Sequence, residues 1–294
     1  IIDLFISNEL KNTPGKAGEI GVWEDVFGGN LKSDIAIYGS SRAWTHIDPK
    51  IINDSVGMTA CNFGIDGHNF WLQYLRHKEY LKNNKAPKQI ILSVDGFTLN
   101  KRKELYNYQQ FLPYMLWDKN IFYFTSSYDG FSLFDYFIPL LRYSGETTIL
   151  SSLLENVESE NNRINGYRAQ LRESREEIKI AKERLSFNQE SLDLFFVFIK
   201  ECKNYGIELL LVYTPIYIEN KKNILNNEEV VVFYQDIAFK NKLKFYDYTQ
   251  DVICLKKEMF FDAIHLNKKG SELFSRKLAH TLNKARMHNN VYKK

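Results

Sequence analysis

The sequence predicts an α/β sandwich, in which helices cover both faces of a parallel β-sheet. Two observations predict this class. Short apolar runs bounded by turn residues are typical of strands buried on both faces, and helical patterns lie between these runs. The alternation of the two favours parallel strands joined by helical crossovers. The 294 residues are enough for one enlarged domain that spans residues 1–294 and carries insertions.

Five strands and four helices are predicted along the chain. The strands are Asp34–Tyr38, Met58–Phe63, Gln89–Val94, Glu208–Tyr213 and Lys244–Tyr248, with the weakest pattern in Met58–Phe63. The helices are Phe70–Lys82, a long one within Leu153–Tyr205, one near Glu229–Asn241, and Lys268–Ala285. A helix thus follows each of the last four strands, as parallel connections require.

Residues 100–150 are predicted to form an aromatic-rich insertion after the third strand. Aromatic residues make up 15% of the chain, and this stretch accounts for most of the excess. The stretch lies on the side where α/β sheets bind ligands, so a lid or an acceptor-binding platform is one interpretation. The favoured interpretation is a satellite hydrophobic cluster that packs the insertion onto the domain.

Residues 153–205 are predicted to form a long charged helical segment. Within it, Glu158–Arg184 is rich in Glu, Arg, Lys and Asn, with opposite charges at helical spacings. A solvated helix is the favoured interpretation of this part.

Charge and cysteine content exclude several classes of protein. Lys and Arg number 39 and Asp and Glu 36, a balance that argues against a dedicated nucleic-acid binder. The three cysteines are too scattered for a disulfide framework or a zinc site, so no metal and no cofactor are predicted. The apolar start at Ile1–Ile6 is compatible with the end of a removed signal or membrane anchor, or with an amphipathic first turn.

Two motifs carry chemistry. After the first strand the chain reads Gly39-Ser40-Ser41, which would place the second hydroxyl at the carboxyl edge of the sheet, where a nucleophile could act. The same residues also make a good turn and N-cap. Near the end of the chain, Asp262 and His265 are three residues apart, a spacing that lets a carboxylate hold an imidazole tautomer.

Together these motifs resemble the SGNH (GDSL-like) hydrolase superfamily, which implies a flavodoxin-like three-layer α/β/α sandwich. The resemblance implies a catalytic triad of Ser41, Asp262 and His265. It also implies that Gly64, in Asn62-Phe63-Gly64, helps the Ser41 amide to form the oxyanion hole. The third oxyanion donor would be an asparagine, but Asp95 stands in its place. An aspartate carboxylate can only accept a hydrogen bond, so this donor is in doubt.

Within the superfamily, the motifs look like the branch that modifies cell-surface polymers, including the alginate and cell-wall acetylation proteins and the D-alanyl-teichoic acid proteins. This resemblance implies an exported serine esterase or O-acyltransferase that acts on acyl esters, acetyl in the first instance, of a surface glycan. It also implies a membrane-bound O-acyltransferase as partner. Arg42 and His68 are candidate substrate-lining residues, and His46 is expected to be structural.

Two alternatives stay open. Asp95 and the aromatic insertion are compatible with a weak or inactive binding or assembly protein that keeps the fold. The aromatic residues alone would also suit a lipase-like enzyme at a membrane surface.

Overall fold

The computed structural model describes residues 1–12, 18–67, 70–147, 163–172 and 182–291. Its centre is a five-stranded parallel sheet with the strand order β2-β1-β3-β4-β5. The strands are β1 (Ile35–Tyr38), β2 (Ala60–Asn62), β3 (Gln89–Val94), β4 (Glu208–Tyr213) and β5 (Lys244–Asp247). All five lie within the predicted runs, and the order is the flavodoxin-like one.

The strands are apolar on both sides because alternate residues enter different layers of core. In β1, Ala36 and Tyr38 pack into one core, whereas Ile35 and Ile37 pack into the other. This alternation follows from the period of two along a strand. Continuous apolar strands therefore predict a sheet covered on both faces, and the α/β/α sandwich is confirmed.

Helices form the two outer layers. In chain order they are α1 (Ile2–Asn12), α2 (Gly18–Phe27), α3 (Ser41–His46), α4 (Pro49–Val56), α5 (Phe70–Asn83), α6 (Lys119–Thr125), α7 (Gln189–Asn204), α8 (Ile218–Lys221), α9 (Asn227–Asn241) and α10 (Lys268–Val291). The core that contains Tyr38 includes side chains of α2, α5, α7 and α9. The core on the other face of the sheet, which contains Ile37, includes side chains of α3, α4 and α10.

The aromatic-rich stretch 100–147 is not a satellite cluster. The core that contains Tyr38 also includes four buried rings of this stretch, Phe111, Tyr128, Tyr136 and Tyr143. The expectation of a separate cluster was wrong because α2 and α5 pack directly against this stretch and join its rings to the sheet.

The predicted solvated helix over Glu158–Arg184 was wrong where the chain is described. Residues 163–172 contain no helix, and at their start a short hairpin forms, in which Ile164 pairs with Tyr167 across a turn at Asn165 and Gly166. Both turn residues have positive φ, 50° and 79°, the conformation that Asn-Gly adopts in two-residue turns. Within 153–205, the described helix is α7, and residues 153–162 and 173–181 lie outside the described residues.

No helix in the described ranges is both long enough and apolar enough to span a bilayer.

Candidate active site

The site lies at the carboxyl ends of β1 and β3, where the strand order reverses and α/β sheets bind ligands. Strand β1 ends at Tyr38, and Gly39 and Ser40 turn the chain into α3, whose first residue is Ser41. Gly39 has a φ of 139°, and a Cβ there would lie 2.7 Å from the Ser93 carbonyl oxygen. The glycine therefore lets this turn press against β3, and Ser40 caps the helix by accepting from the Arg42 N–H.

Ser41, His265 and Asp262 form a continuous hydrogen-bonded row. The Ser41 Oγ lies 2.8 Å from His265 Nε2. On the other side of the ring, His265 Nδ1 lies 2.7 Å from Asp262 Oδ2. The two motifs, 224 residues apart in sequence, thus meet in space. This is the geometry of a nucleophile, a base and the carboxylate that orients the base.

Backbone amides hold the Asp262 carboxylate in place. Asp262 Oδ1 accepts from the Ile264 N–H at 2.8 Å and from the His265 N–H at 2.7 Å. Burial raises the pKa of Asp262, but the hydrogen bond and charge of His265 and the two amides outweigh burial and leave the pKa below its usual range. The carboxylate therefore stays charged in mild acid and can keep the Nδ1 proton of His265 in position.

The predicted oxyanion donor at Gly64 has a different partner in this structure. The Gly64 N–H donates to Asn62 Oδ1 at 3.0 Å, and the Asn62 amide donates to the carbonyls of Ala43 and Ile47. A Cβ at residue 64 would lie 2.9 Å from the Ser40 carbonyl oxygen. The glycine is thus needed for close packing against the turn before α3, and its part in the oxyanion hole stays a prediction, because its N–H is occupied by Asn62 in this structure.

Asp95 accepts hydrogen bonds and donates none from its side chain. Its Oδ1 accepts from the Phe97 N–H at 2.9 Å and from Thr98 Oγ1 at 3.1 Å. Its Oδ2 accepts from Ser40 Oγ at 3.1 Å and lies 3.8 Å from Arg42 Nη1. The doubt about Asp95 as an oxyanion donor was therefore justified. The Gly64 N–H already has an acceptor and the Asp95 carboxylate has no donor, whereas the Ser41 N–H has no acceptor within the described ranges.

A cavity of about 320 Å³ opens beside Ser41 and His265. Its walls come from the chain segments that follow β1, β2, β3 and β4, together with the aromatic-rich stretch. The rings of Phe97, Tyr106, Tyr128 and Tyr213 contribute to its apolar lining. A pocket of this size fits a small ligand or part of a larger one.

Sequence reasoning did not single out several polar residues of this cavity, among them Asp66, Asn100, Arg102 and Asn220. Asp66 follows β2, and burial together with the charge of Glu19 raises the pKa of its carboxyl. Asn220 lies in α8 and is 5% exposed. The glycine after Asp66 was a usable signal for the first residue, because Gly67 has a φ of 66° and packs against Tyr106. No local signal marks Asn220.

Of the two candidate substrate-lining residues, Arg42 and His68, the structure describes only Arg42. Arg42 borders the cavity but is 5% exposed, and its Nη2 donates to the carbonyls of Thr214 and Pro215. Its Nη1 lies 3.8 Å from Oδ2 of the buried Asp95. His68 lies outside the described residues. His46 is buried and contacts Thr214 and the backbone of Leu266, which is a structural position.

Within the described ranges, no cluster of three or more His, Cys, Asp or Glu residues could hold a metal ion. Cys61, Cys202 and Cys254 are free thiols.

No family model matches this chain, and no curated protein matches it. Solved structures give matches of low TM-score. A GDSL-like lipase from Bacteroides thetaiotaomicron has a TM-score of 0.46 and 11% identity, over 91% of this chain and 99% of the lipase. A protein assigned to the G-D-S-L lipolytic family, from Desulfitobacterium hafniense, has a TM-score of 0.44 and 9% identity, over 85% of this chain and 99% of its own. The fold itself rests on the sheet order described above.

Proposed function

We propose that this chain is a serine hydrolase of acyl esters, of the SGNH type, with Ser41 as nucleophile, His265 as base and Asp262 as the orienting carboxylate. One observation carries the proposal: the distances of 2.8 Å from Ser41 Oγ to His265 Nε2 and 2.7 Å from His265 Nδ1 to Asp262 Oδ2. Ser40 already caps α3, so helix capping does not account for the histidine–carboxylate pair on the Ser41 hydroxyl.

In this mechanism, His265 Nε2 takes the proton of Ser41 Oγ while that oxygen attacks the ester carbonyl carbon. The tetrahedral intermediate then collapses. The alcohol leaves with the proton from His265, and the acyl group remains on Ser41. Water activated by His265 releases the acid, or a sugar hydroxyl accepts the acyl group instead. Asp262 stabilises the imidazolium that forms in each step.

The oxyanion would be held chiefly by the Ser41 N–H, since the Gly64 amide donates to Asn62 and Asp95 has no side-chain donor. Each missing donor typically costs about 100- to 1000-fold in rate, or roughly 2.7–4 kcal/mol. We therefore expect slow turnover of simple esters. An assembly protein with the same fold is the alternative if turnover is absent.

The finer proposal is that the alcohol part of the ester is a sugar hydroxyl. Asp66 and Tyr106 support it, because both line the cavity and Tyr106 is 51% exposed. An aromatic face beside a carboxylate is a chemistry that suits a polyhydroxylated ring. Export and a membrane-bound O-acyltransferase as partner stay predictions from the family resemblance.

The test is active-site labelling. The wild-type protein and its Ser41→Ala variant are incubated with a fluorophosphonate probe, and the intact mass is measured. We expect one adduct on the wild type and none on Ser41→Ala, because only a serine activated by a base attacks phosphorus. Ser40→Ala is the matched control and should keep the adduct. Equal labelling of wild type and Ser41→Ala, or no adduct on the wild type, would contradict the triad and favour the assembly protein.

A further inference from the structure

An apolar patch lies on the surface formed by α1 and residues 133–141. In 133–141, six of the nine residues are large apolar side chains that are 38% to 61% exposed. The Leu140 N–H donates to Asp3 Oδ2 of α1 at 2.6 Å, so the two segments lie side by side. A contiguous exposed patch marks a surface that another apolar phase or a partner covers. On α1 the exposed apolar side chains of the patch are Ile2, Leu4 and Phe5.

Trp117 extends this apolar patch. Its backbone N–H donates to the Tyr136 carbonyl at 2.9 Å, and its indole Nε1 donates to the Phe137 carbonyl at 3.0 Å. The same ring lines a groove with Leu4 and Phe5 of α1, so the patch is continuous from α1 to Trp117. The ring is nevertheless 63% exposed. Because the indole N–H is already bonded within the chain, the ring needs no hydrogen bond from its surroundings.

Two residues of the apolar patch hold a backbone conformation that L side chains rarely adopt. Trp117 has a φ of 61° and Leu140 a φ of 68°. Glycine or asparagine would relieve the backbone and would also avoid exposing a large apolar side chain to water. In water, both effects disfavour the residues that are present. This combination indicates that the two side chains act in apolar surroundings.

Charged groups and backbone donors at the centre of the apolar patch are paired within the chain. Arg142 makes two hydrogen bonds of 2.7 Å to the Asp3 carboxylate, and both side chains are buried. The N–H groups of Phe137, Ile138 and Leu141 donate to carbonyls of the same segment. A protein partner typically makes about one hydrogen bond per 100–200 Å² of interface, for which this centre offers few donors. The apolar part of a bilayer, in contrast, accepts backbone groups only when they are already paired.

Polar and basic side chains border the apolar patch. The second half of α1 carries Asn8 and Glu9 on its exposed side, so the helix is apolar at one end and polar at the other. Lys11 lines the same groove as Trp117, and Lys119 is exposed two residues after this ring. Lysine can lay its stem along apolar surface while its ammonium group reaches phosphate. Tryptophan with basic residues at the border of an apolar face is typical of proteins that lie on a membrane.

We propose that the apolar patch, formed by Ile2, Leu4, Phe5, Trp117 and residues 133–141, binds the surface of a phospholipid bilayer. Its apolar side chains enter the boundary between headgroups and acyl chains, and Lys11 and Lys119 lie at the depth of the phosphates. A two-fold contact with a second copy would bring the lysines of both copies to one interface, whereas phosphates neutralise them. The inference concerns where the protein works and does not depend on the triad.

Trp117 allows a direct test, because the other three tryptophans, Trp23, Trp44 and Trp71, are buried. Vesicles of phosphatidylcholine and phosphatidylglycerol are added to the wild type. We expect the Trp117 emission to move to shorter wavelength, and we expect vesicles with brominated acyl chains to quench it. Trp117→Phe should lose both changes. Unchanged emission of the wild type, or equal quenching in Trp117→Phe, would overturn the proposal.

Cosedimentation with the same vesicles tests the rest of the apolar patch. The double variant Phe134→Ser, Phe137→Ser should bind at least about tenfold more weakly, because it removes apolar area that would enter lipid. Phe239→Ser is the matched control and should bind like the wild type, since Phe239 of α9 is 85% exposed outside the patch. If the double variant does not fold, Leu4→Ser, Phe5→Ser tests the patch from α1 with the same expectation.

Binding of folded patch variants that equals the control would overturn the proposal. A wild type that ignores vesicles and forms dimers in sedimentation velocity would also overturn it, because a second copy would then cover the patch. Failure here is distinct from failure of the proposed function, since the fluorophosphonate adduct on Ser41 forms in the absence of vesicles.

Discussion

At the scale of single residues, Asp95 works against the proposed chemistry. Its carboxylate lies beside Ser40 and Arg42 on the cavity wall, where it would repel a developing oxyanion. We expect Asp95→Asn to raise kcat/KM for a p-nitrophenyl ester by about tenfold or more, since the amide removes the charge and can donate. Asp54→Asn, at an exposed surface ion pair, is the control. A rate that is unchanged or lower in Asp95→Asn would show that the carboxylate does not act on the oxyanion.

Residues that lie in short sequence motifs could be identified as candidates from the sequence. Residues that stand out only through their burial in the folded chain could not. Ser41 and the Asp262–His265 pair were predictable because strand–turn–helix order and a three-residue spacing constrain where their side chains point. Asn220 has no such motif, and only its burial beside the cavity in the folded chain draws attention to it. The hydrogen bond from the Gly64 N–H to the Asn62 side chain was not predicted, because a competing acceptor two residues away cannot be recognised from sequence alone.

At the scale of elements, His46 joins the helix of the nucleophile to the loop of the base. It ends α3, and its Nε2 accepts from the Leu266 N–H at 3.0 Å, next to His265. Because Nε2 accepts, Nδ1 carries the proton and donates to Thr214 Oγ1 at 3.0 Å. Burial, with the charges of Arg42 and His265, holds the pKa of His46 well below its usual range, which keeps the ring neutral and able to accept.

His46 is therefore expected to be a positioning residue. His46→Ala should lower kcat for an ester about 10- to 100-fold with little change in KM, because the loop that carries His265 loses its tie to α3. His46→Gln, which can also accept and donate, should restore part of the rate. The exposed His280→Ala is the control. If kcat and the rate of fluorophosphonate labelling are both unaffected in folded His46→Ala, the tie does not position the base.

The strands were easier to predict from the sequence than the charged segment, because a buried strand is marked by a run of mostly apolar residues. A run such as Gln89–Val94 is apolar at four of its six positions and buried at all six, and only a sheet covered on both faces buries such a strand completely. Residues 163–172 contain mostly polar side chains, which composition assigns to a solvated surface. In the structure Arg163 is buried against the Trp44 ring, and a Cβ at Gly166 would overlap the Asn62 carbonyl oxygen. Such contacts depend on distant residues that no local pattern specifies.

At the scale of the whole molecule, one buried carboxylate connects parts of the chain that lie far apart in sequence. Glu19 of α2 pairs with Arg76 of α5 at 2.8 Å and with Arg163 of the hairpin. It also accepts from the Asp66 N–H at 2.7 Å, next to the cavity. Arg76 and Arg163 in turn donate to the Gly64 carbonyl. This network fixes the segment after β2, and with it one wall of the cavity, against the N-terminal helices and the hairpin.

The network predicts a specific loss of stability in acid. Burial raises the pKa of Glu19, but the charges of Arg163 and Arg76 and the hydrogen bonds outweigh burial and lower it to about 2. An unfolded Glu has a pKa of about 4.3, so the stability that Glu19 contributes is present above that pH and is lost as the pH falls towards about 2. The contribution is on the order of 3 kcal/mol.

Urea unfolding of wild type and Glu19→Gln should show this dependence. Glu19→Gln leaves two arginines unpaired, so it should be less stable at pH 7 by about 3–5 kcal/mol. The difference in unfolding free energy should then narrow steadily as the pH is lowered from about 4.5 towards 2, since the wild-type carboxyl becomes neutral as well. Glu229→Gln, at an exposed ion pair with Arg184, should differ little from wild type at any pH. A difference between Glu19→Gln and wild type that stays constant over this range would mean that Glu19 does not titrate there, and that the network contributes through packing alone.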